Sequence, residues 1–486
     1  MSRLVAGLKQ SQNVTLTENG ALAHKTTGSA VLDYFALANG KRHEDSTPLF
    51  RLAFSENKKL ALAATFHCRD IRGGQGERKV FREAMTYLAE AFPETFIKIF
   101  KEIPEYGYWK DLMFFATHSN VGKEVTDFIL NQLNQDTISE HPSVLGKWMP
   151  SANTSSRKSR ALAMHFINSL GVTPKTYRKM LVGLRAKLNL VETNMSAGKF
   201  DQIEYSHVPS IASKNYRKAF FKKDEARYRE FLGQVKKGEK KINAGTLYPY
   251  DIVGQYLSTS FSMSPMPDET LEALWNALPN YADDDSNSLV MVDVSQSMFD
   301  GLSPSAAQVA ISLGLYIAER NKGLFKNHFL TFTSNSHLQE IKGKTLWERI
   351  KSMRGDVGYS TNLEGAFDDI LRVARKNNLS PEEMPKNVFI VSDGEFNPNT
   401  VGKTTFSSIA DKFTTAGYEM PQLISWNVRS RGQKVPVEKD ANGVFLVSGC
   451  SPSIFKSAVQ TKTVTPIDLM VEVLSKDRYQ RIQDLV

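Results

Sequence analysis

The feature that most constrains this chain is a short apolar segment that ends in closely spaced oxygen side chains. Residues 288–292 read Ser-Leu-Val-Met-Val, which is typical of a strand covered on both faces. Asp293, Ser295 and Ser297 follow at alternate positions, and in an extended segment such side chains point to the same side. Three hard oxygen ligands suit Mg²⁺ or Mn²⁺ better than zinc or copper. The segment therefore predicts a divalent-cation site at the end of a buried strand.

Two later segments add oxygen ligands in similar positions. Thr361 precedes a helical pattern, so we expect it in a loop that enters a helix. Residues 387–392 read Asn-Val-Phe-Ile-Val-Ser, a second buried strand, and Asp393 and Gly394 follow it. In a doubly wound sheet, the loops at the carboxyl ends of the strands form the ligand-binding crevice. The residues expected to meet there are Asp293, Ser295, Ser297, Thr361 and Asp393.

These three segments, taken in order, resemble the von Willebrand factor A (vWA) domain and its metal-ion-dependent adhesion site. In that family two serines and a threonine ligate Mg²⁺, and two aspartates bind it directly or through water. One coordination position stays open for a partner's carboxylate or for water. The resemblance implies the same roles for the five residues here. The alternative is that the three hydroxyl side chains only cap helices or turns.

The pattern of hydrophobic and polar residues changes along the chain, which argues for more than one domain in 486 residues. Residues 1–30 are a polar lead-in, either loosely ordered or a first short hairpin. Residues 31–260 carry helical periodicity and predict an array of irregular helical repeats. Residues 261–287 are linker-like and contain one short helix. Residues 288–486 alternate strands with helices, which predicts a mostly parallel sheet covered by helices on both faces.

Cysteine content and hydropathy indicate a cytoplasmic protein. Cys68 and Cys450 lie far apart and lack the spacing of a metal site, which fits a reducing compartment. The N-terminal residues contain no apolar run of signal-peptide length. Since the chain also lacks an uninterrupted apolar stretch of about 18 residues, we expect no membrane span.

The net charge of +9 is unevenly distributed, with about +10 in residues 1–280 and about −1 in residues 281–486. An excess of positive charge on the helical half predicts an anionic partner, most simply nucleic acid. The alternative is that the extra lysines only keep a large domain soluble.

A glycine-rich segment stands out in the helical half, Arg69-Asp-Ile-Arg-Gly-Gly-Gln-Gly-Glu-Arg78. It lacks the Lys-Ser/Thr pair of a phosphate-binding loop and follows a helix, so a nucleotide-binding role is disfavoured. We interpret it as a turn that opens a helix, with Arg69, Arg72 and Arg78 projecting from it as an anion site. The alternative is that these arginines pair with Asp70 and Glu77 and organise the turn.

Further basic and aromatic residues suit single-stranded or irregular RNA, whose bases are free to stack. The cluster Tyr106-Gly-Tyr-Trp-Lys-Asp-Leu112 fits packing better than base stacking. The residues proposed for RNA contact are Arg69, Arg72, Arg78, Lys147, Arg157, Lys158, Arg160 and Arg178.

A helical array followed by a vWA domain is the layout of the Ro ribonucleoprotein family, the TROVE module. The glycine-rich segment, the Tyr-Gly-Tyr-Trp cluster, Lys147-Trp-Met-Pro and Val191-Glu-Thr-Asn-Met-Ser look like an uncharacterised group of Ro-like vWA proteins, a domain of unknown function. Ro proteins form a ring of HEAT-like helical repeats that binds RNA ends in its hole and small RNAs on its basic face. The resemblance implies a HEAT-like α-helical repeat domain followed by a Rossmann-like α/β vWA domain.

The leading hypothesis is a non-enzymatic RNA-binding protein whose vWA domain holds Mg²⁺ or Mn²⁺ and accepts an acidic protein ligand. The alternative is a metal-dependent protein–protein adaptor that binds no RNA. An enzymatic role is disfavoured: a haloacid-dehalogenase-type phosphatase needs a second aspartate where Ser295 stands, and a motor or chelatase role needs the missing nucleotide loop.

Overall fold

The computed structural model describes residues 12–258, 263, 266–281, 287–299, 301–332, 336–353, 361–398, 403–460 and 465–486. Within these ranges an N-terminal hairpin is followed by helices up to residue 276, and strands then alternate with helices. The predicted order, a helical half followed by an α/β half, is confirmed. No helix of the described residues is long and apolar enough to cross a membrane.

The N-terminal lead-in contains a small antiparallel hairpin. Strand β1 (Val14–Leu16) pairs with β2 (Leu22–His24) across a turn at residues 17–21. Of the two possibilities that the sequence left open for this region, a hairpin is present at these residues. Residues 1–11 lie outside the described part of the chain.

The helical half consists of short amphipathic helices that bury aromatic side chains between them. Capping side chains begin several of these helices, since the side chain of Asn57 accepts from the Leu60 amide, and that of Thr173 from the Thr176 amide. Phe50, Phe66 and Phe81 are fully buried where the first helices cross. The helices are Ala30–Leu37, Thr47–Glu56, Lys58–Arg69, Arg78–Ala91, Pro93–Ile99, Ile103–Tyr106, Trp109–Met113, Gly122–Ile138, Leu145–Trp148, Arg157–Leu170, Pro174–Lys187, Val191–Ser196, Ser210–Lys223, Glu225–Lys236, Pro249–Tyr256 and Glu269–Asn276.

The C-terminal half is built on a six-stranded mixed sheet in the order β5-β4-β3-β6-β7-β8. Its strands are β3 (Ser288–Val292), β4 (His328–Thr331), β5 (His337–Glu340), β6 (Asn387–Ser392), β7 (Gln422–Asn427) and β8 (Val444–Ser448). Neighbouring strands are parallel except for β5, which is antiparallel to β4. The helices are Ala306–Arg320, Leu346–Met353, Leu363–Asn377, Thr405–Ala416, Phe455–Gln460, Pro466–Leu474 and Asp477–Asp484. Both β3 and β6 are buried along their whole length, as their apolar sequences predict.

The two halves share an extensive interface. The C-terminal helix Asp477–Asp484 packs on the helix Lys58–Arg69, and Arg478 there forms a bidentate ion pair with the buried Asp70, at 2.6 and 3.0 Å. The other end of the helical half also reaches the α/β half, because the helix Pro249–Tyr256 packs on Ala306–Arg320.

The beginning and the end of the helical half also contact each other directly. The guanidinium of Arg42 donates to the Tyr250 hydroxyl at 3.4 Å and lies over the Tyr250 ring. The chain from residue 78 to residue 245 therefore leaves and returns to the same region of the molecule.

Candidate functional site

Two aspartates lie side by side at the carboxyl ends of the central strands. Because Val292 pairs with Val391 in the parallel register of β3 and β6, Asp293 and Asp393 both follow the sheet at the same edge. The Asp293 amide donates to the Val391 carbonyl at 3.0 Å, and the Ser392 hydroxyl donates to Asp293 Oδ2 at 2.6 Å. Both aspartates are 2% exposed.

The two serines of the first segment turn back toward these carboxylates. Asp293 Oδ1 accepts from the Ser295 amide at 2.9 Å, which tightens the turn after β3. The hydroxyls of Ser295 and Ser297 lie 3.1 Å apart, and the Ser297 hydroxyl is close enough to Asp393 to favour its ionised form. The four residues therefore form one connected group of oxygen atoms.

The backbone places Thr361 at the same edge of the sheet. The amide of the next residue, Asn362, donates to the Phe332 carbonyl just beyond β4, and the Thr361 carbonyl accepts from the Asn397 amide beyond β6, both at 3.1 Å. Since β3 lies between β4 and β6, Thr361 sits above the end of β3, and it is 2% exposed.

Capping does not account for Ser295 or Thr361. Asn362, rather than Thr361, caps the helix Leu363–Asn377, because its side chain accepts from the Gly365 amide at 3.0 Å. Ser295 precedes a single 3₁₀ turn and makes no side-chain capping bond.

Burial shapes the electrostatics of the two aspartates. Burial and, to a lesser extent, the charge of Asp393 raise the pKa of Asp293 to about 6, although hydrogen bonds from Ser392 and Ser295 act to lower it. Burial likewise raises the pKa of Asp393, against the effects of the Glu395 amide, Arg431 and Ser297. Asp393 Oδ2 is buried and accepts no hydrogen bond. Two buried carboxylates with an unused lone pair and neighbouring hydroxyls fit a hard divalent ion.

Most of the candidate cation ligands are hydroxyl groups. In the described ranges, no group of three or more His, Cys, Asp or Glu side chains is arranged to hold a metal. The candidate site has only two carboxylates, so Ser295, Ser297 and Thr361 would have to complete the coordination of a cation.

A basic residue that sequence reasoning missed also reaches this edge. Arg431, in the loop beyond β7, donates from Nη2 to the Ser297 carbonyl at 2.7 Å, and the same nitrogen lies 3.8 Å from Asp393 Oδ2. Its Nη1 lies 3.1 Å from a carboxylate oxygen of Glu18 in the N-terminal hairpin. The strand-end rule that identified the aspartates could have identified Arg431, whereas no local signal points to Glu18.

The structure corrects the interpretation of the glycine-rich segment in the helical half. Arg69 is 1% exposed and donates to Asp111 Oδ2 at 3.0 and 2.6 Å, so the prediction that it projects as an anion site is wrong. Arg78 Nε lies 2.9 Å from the other oxygen of Asp111. Arg72 is exposed, as expected, but its guanidinium donates to the Glu105 carbonyl.

The alternative, in which the arginines of this segment pair with Asp70 and Glu77, is also wrong. Asp70 pairs with Arg478 and Glu77 pairs with Arg42, so both acids bind arginines from distant parts of the chain. The segment joins the two halves of the molecule, because the Gln75 side chain accepts from the Ser451 amide at 3.2 Å.

The structure brings most of the remaining basic residues onto two consecutive helices, Arg157–Leu170 and Pro174–Lys187. Arg157, Lys158, Arg160 and Arg178 are exposed, whereas Lys147 pairs with Glu192 at 3.3 Å. Residues 141–191 contain nine lysines and arginines and no aspartate or glutamate.

A groove of about 550 Å³ runs along the second of these helices. Lys175, Arg178 and Arg185 line it together with the loop Ser151–Asn153, and its lining contains no acidic residue. Arg160 reaches the same loop, since its guanidinium donates to the Thr154 carbonyl at 3.4 Å. Lys175 was absent from the predicted set, and the lack of acidic residues in this stretch is the signal that could have found it.

Comparisons with known proteins match the chain to two families defined by domains of unknown function. The model of a domain of unknown function, DUF2828, matches residues 17–143 and 149–285, and that of another, DUF7788, matches residues 287–483. An uncharacterized protein of Acanthamoeba polyphaga mimivirus is 30% identical over 508 aligned residues, which cover 95% of this chain and 87% of the viral protein. A crystal structure of the Deinococcus radiodurans Ro (RSR) protein aligns with 95% of this chain and all of that one, at 13% identity and a TM-score of 0.46.

Proposed function

We propose that this chain, which belongs to the DUF2828 family, is a binding protein whose α/β half holds Mg²⁺ or Mn²⁺ in a vWA-type adhesion site. The observation that carries this proposal is the group of oxygen side chains that Asp293, Ser295, Ser297 and Asp393 form at the ends of β3 and β6. The backbone of Thr361 lies at the same edge of the sheet. Asp393 Oδ2 is buried without a hydrogen-bond donor, and a bound cation would provide it with a partner.

In this proposal each residue has a defined part. Ser295, Ser297 and Thr361 provide neutral oxygen ligands, and Asp293 and Asp393 provide the negative charge, directly or through water. A bound cation supplies an open coordination position for an acidic group of a partner. The function is recognition, with no chemical step assigned to these residues.

The test compares Asp293→Asn with Asp411→Asn. Asp411 is an exposed carboxylate of the same half, paired with Lys403, so both changes remove one charge. Mg²⁺ at about one hundred times its dissociation constant should add about 2.7 kcal/mol to the stability of the wild-type protein and of Asp411→Asn, by mass action. Asp293→Asn should gain almost nothing, and thermal unfolding with and without Mg²⁺ measures the difference.

The stability of the metal-free variant separates loss of the site from misfolding, because a variant at least as stable as the wild type is folded. We expect this result, because the substitution removes a buried charge that Asp393 repels. An Asp293→Asn protein that still gains stability from Mg²⁺ would show that the cation binds elsewhere.

RNA binding by the helical half is a second candidate function, favoured by the groove of the helix Pro174–Lys187. Three basic side chains line this groove without an acidic neighbour, and the adjoining helix exposes Arg157, Lys158 and Arg160. Such a surface suits the phosphates of a single strand, and aliphatic side chains such as the exposed Val182 provide apolar contact. On this proposal the helical half is a HEAT-like array of the Ro type, and the alternative is a metal-dependent adaptor that binds only protein.

Replacing Arg157, Lys158 and Arg178 together by alanine tests RNA binding. The affinity for a fluorescent single-stranded 20-mer RNA should fall at least tenfold, and the slope of log affinity against log salt should decrease by about 2, at roughly 0.7 per lost phosphate contact. The matched control replaces Lys123, Lys236 and Lys237, which are exposed elsewhere on the helical half. Wild-type protein that fails to bind this RNA at low salt would leave the adaptor as the remaining function.

A further inference from the structure

We infer that Arg431 is a carboxylate-binding residue beside the cation site and that Glu18 of the N-terminal hairpin is its internal ligand. An acidic group of a partner would have to displace Glu18. This inference rests on the proposed cation site and assigns two further residues to it.

The guanidinium of Arg431 joins the candidate site to the hairpin. Its Nη2 donates a hydrogen bond to the Ser297 carbonyl at 2.7 Å and lies 3.8 Å from Asp393 Oδ2. Its Nη1 lies 3.1 Å from Glu18 Oε2. The side chain of Arg431 is 23% exposed and that of Glu18 is 50% exposed. Glu18 is thus the solvent-facing partner of a largely covered guanidinium, and an external carboxylate could exchange with it.

The hairpin is fixed on the loop that follows Asp393. The Thr17 hydroxyl donates to the Phe396 carbonyl at 2.7 Å, and the Asn19 side-chain amide donates to the Glu395 carbonyl at 2.6 Å. Between these two residues, the Glu18 amide donates to the Glu395 carboxylate. Backbone hydrogen bonds of 2.8 and 2.9 Å between His24 and Val435 hold the other end of the hairpin. Glu18 is therefore held at the rim of the site by its neighbours on both sides.

A small cavity lies under the hairpin and extends to the cation site. It measures about 30 Å³, and Thr17, Asp393 and Arg431 are among its lining residues. This volume accommodates a water molecule. The hairpin and the metal-binding aspartate thus enclose one shared space.

A divalent cation would balance the charges of this region. The contacts described here join four carboxylates, Asp293, Asp393, Glu395 and Glu18, and two basic groups, Arg431 and Lys434, the latter 3.3 Å from Glu395. With every group ionised this cluster carries a charge of −2, which one Mg²⁺ neutralises. Glu18 supplies part of that negative charge, and Arg431 limits how strongly the charge attracts a cation.

The test measures Mn²⁺ binding by isothermal titration calorimetry to the wild type, Glu18→Gln and Glu340→Gln. Glu340 serves as the control: its side chain is 54% exposed and pairs with Lys342, and its backbone lies opposite His328 at the start of β4, at the opposite edge of the sheet. Removing the Glu18 carboxylate should weaken Mn²⁺ binding about fivefold, because a negative charge is lost and Arg431 is left without its acidic partner. Glu340→Gln should bind Mn²⁺ like the wild type.

Sodium acetate then tests whether the lost group is a carboxylate ligand. Acetate at about 100 mM, compared with sodium chloride of equal ionic strength, should restore the affinity of Glu18→Gln and leave the wild type unchanged, because tethered Glu18 has the higher effective concentration. Acetate should not rescue the double variant Glu18→Gln/Arg431→Gln.

The outcomes separate this inference from the proposal it rests on. If the wild type binds Mn²⁺ and Glu18→Gln binds it equally well without an acetate effect, the inference is overturned and the cation site stands. If the wild type binds no Mn²⁺, the cation site is wrong and the role of Glu18 is overturned with it.

Discussion

At the scale of single residues, the two buried aspartates are costly to the metal-free protein. Each loses hydration on folding, and Asp393 adds repulsion to Asp293, so the pKa of Asp293 rises to about 6. Hydrogen bonds from Ser295 and Ser392 offset only part of this effect. Perturbed carboxylates of this kind concentrate at functional sites, and on the proposal above the charge of this pair serves to bind a cation.

The raised pKa of Asp293 predicts a pH-dependent affinity for Mg²⁺. A cation competes with the proton, so affinity should fall as pH decreases below about 6, by up to tenfold per pH unit. Calorimetric titrations between about pH 5 and pH 8 would measure this dependence. An affinity that stays constant over this range would contradict the ionisation assigned to Asp293.

The raised pKa of Asp293 also makes the metal-free protein less stable as pH rises. A salt-bridged acid, whose pKa is lowered, has the opposite effect. Between the unfolded pKa of about 3.9 and the folded value of about 6, the folded state binds more protons than the unfolded state, so stability falls as pH rises through this window. Asp293→Asn should lack this decline. Urea unfolding in the presence of a chelator, compared between the two proteins, isolates the contribution of Asp293 from those of other acids.

At the scale of elements, the glycine-rich loop between the helices Lys58–Arg69 and Arg78–Ala91 is a structural joint. A Cβ atom on Gly74 would lie 2.0 Å from the His67 carbonyl oxygen, so no other residue fits there without moving the backbone. Asp70, in the same loop, is fully buried and accepts from Arg478 and from the Tyr479 hydroxyl. The loop thus fixes the C-terminal helix on the helical half.

Two arginines of the C-terminal helix provide a matched test of this joint. Arg478→Ala should lower the free energy of unfolding by about 2 kcal/mol, because Asp70 would keep a buried charge with fewer donors. Arg481→Ala should change it by less than about 0.5 kcal/mol, since Arg481 is 63% exposed where it pairs with Glu102. Chemical denaturation of both variants measures the difference, and equal effects would show that the Asp70 pair is unimportant.

At the scale of the whole molecule, the N-terminal hairpin, both ends of the helical half and the α/β half contact one another. Asp70 and Gln75 reach the C-terminal residues, the helix Pro249–Tyr256 packs on the helix Ala306–Arg320, and Thr17 reaches the loop after β6. Parts that bury one another's surfaces in this way should unfold together.

This arrangement predicts that Mg²⁺ stabilises the helical half, although that half contributes none of the proposed cation ligands. The loss of circular dichroism at 222 nm reports mainly on helices, and its midpoint should shift with Mg²⁺ as a single transition. Asp293→Asn is the control and should show no shift. Two separate transitions, with Mg²⁺ shifting only one, would show that the halves unfold independently.

The candidate site could be predicted from sequence because its parts are local. The strand-end rule places Asp293 and Asp393 side by side. Strand periodicity predicts Ser295 and Ser297 on the same side as Asp293, but β3 ends at Val292 and Gln296–Met298 forms a 3₁₀ turn. This turn, rather than an extended segment, brings the two serines back to the aspartates. The hydrogen bonds around Asp293 agree with that arrangement. Thr361 followed from the same rule, since a loop that enters a helix begins at the carboxyl edge of the sheet.

The sequence by itself determined the order of the two halves, the buried central strands and the oxygen side chains at their ends, because hydrophobic periodicity and strand direction are properties of neighbouring residues. Only the tertiary structure decided the partners of the charged residues. Arg69 binds Asp111, Asp70 binds Arg478 and Arg431 binds Glu18, each across a long stretch of chain. A charged side chain pairs with whichever opposite charge folding brings close to it. Its neighbours in the sequence do not reveal which distant residue that will be.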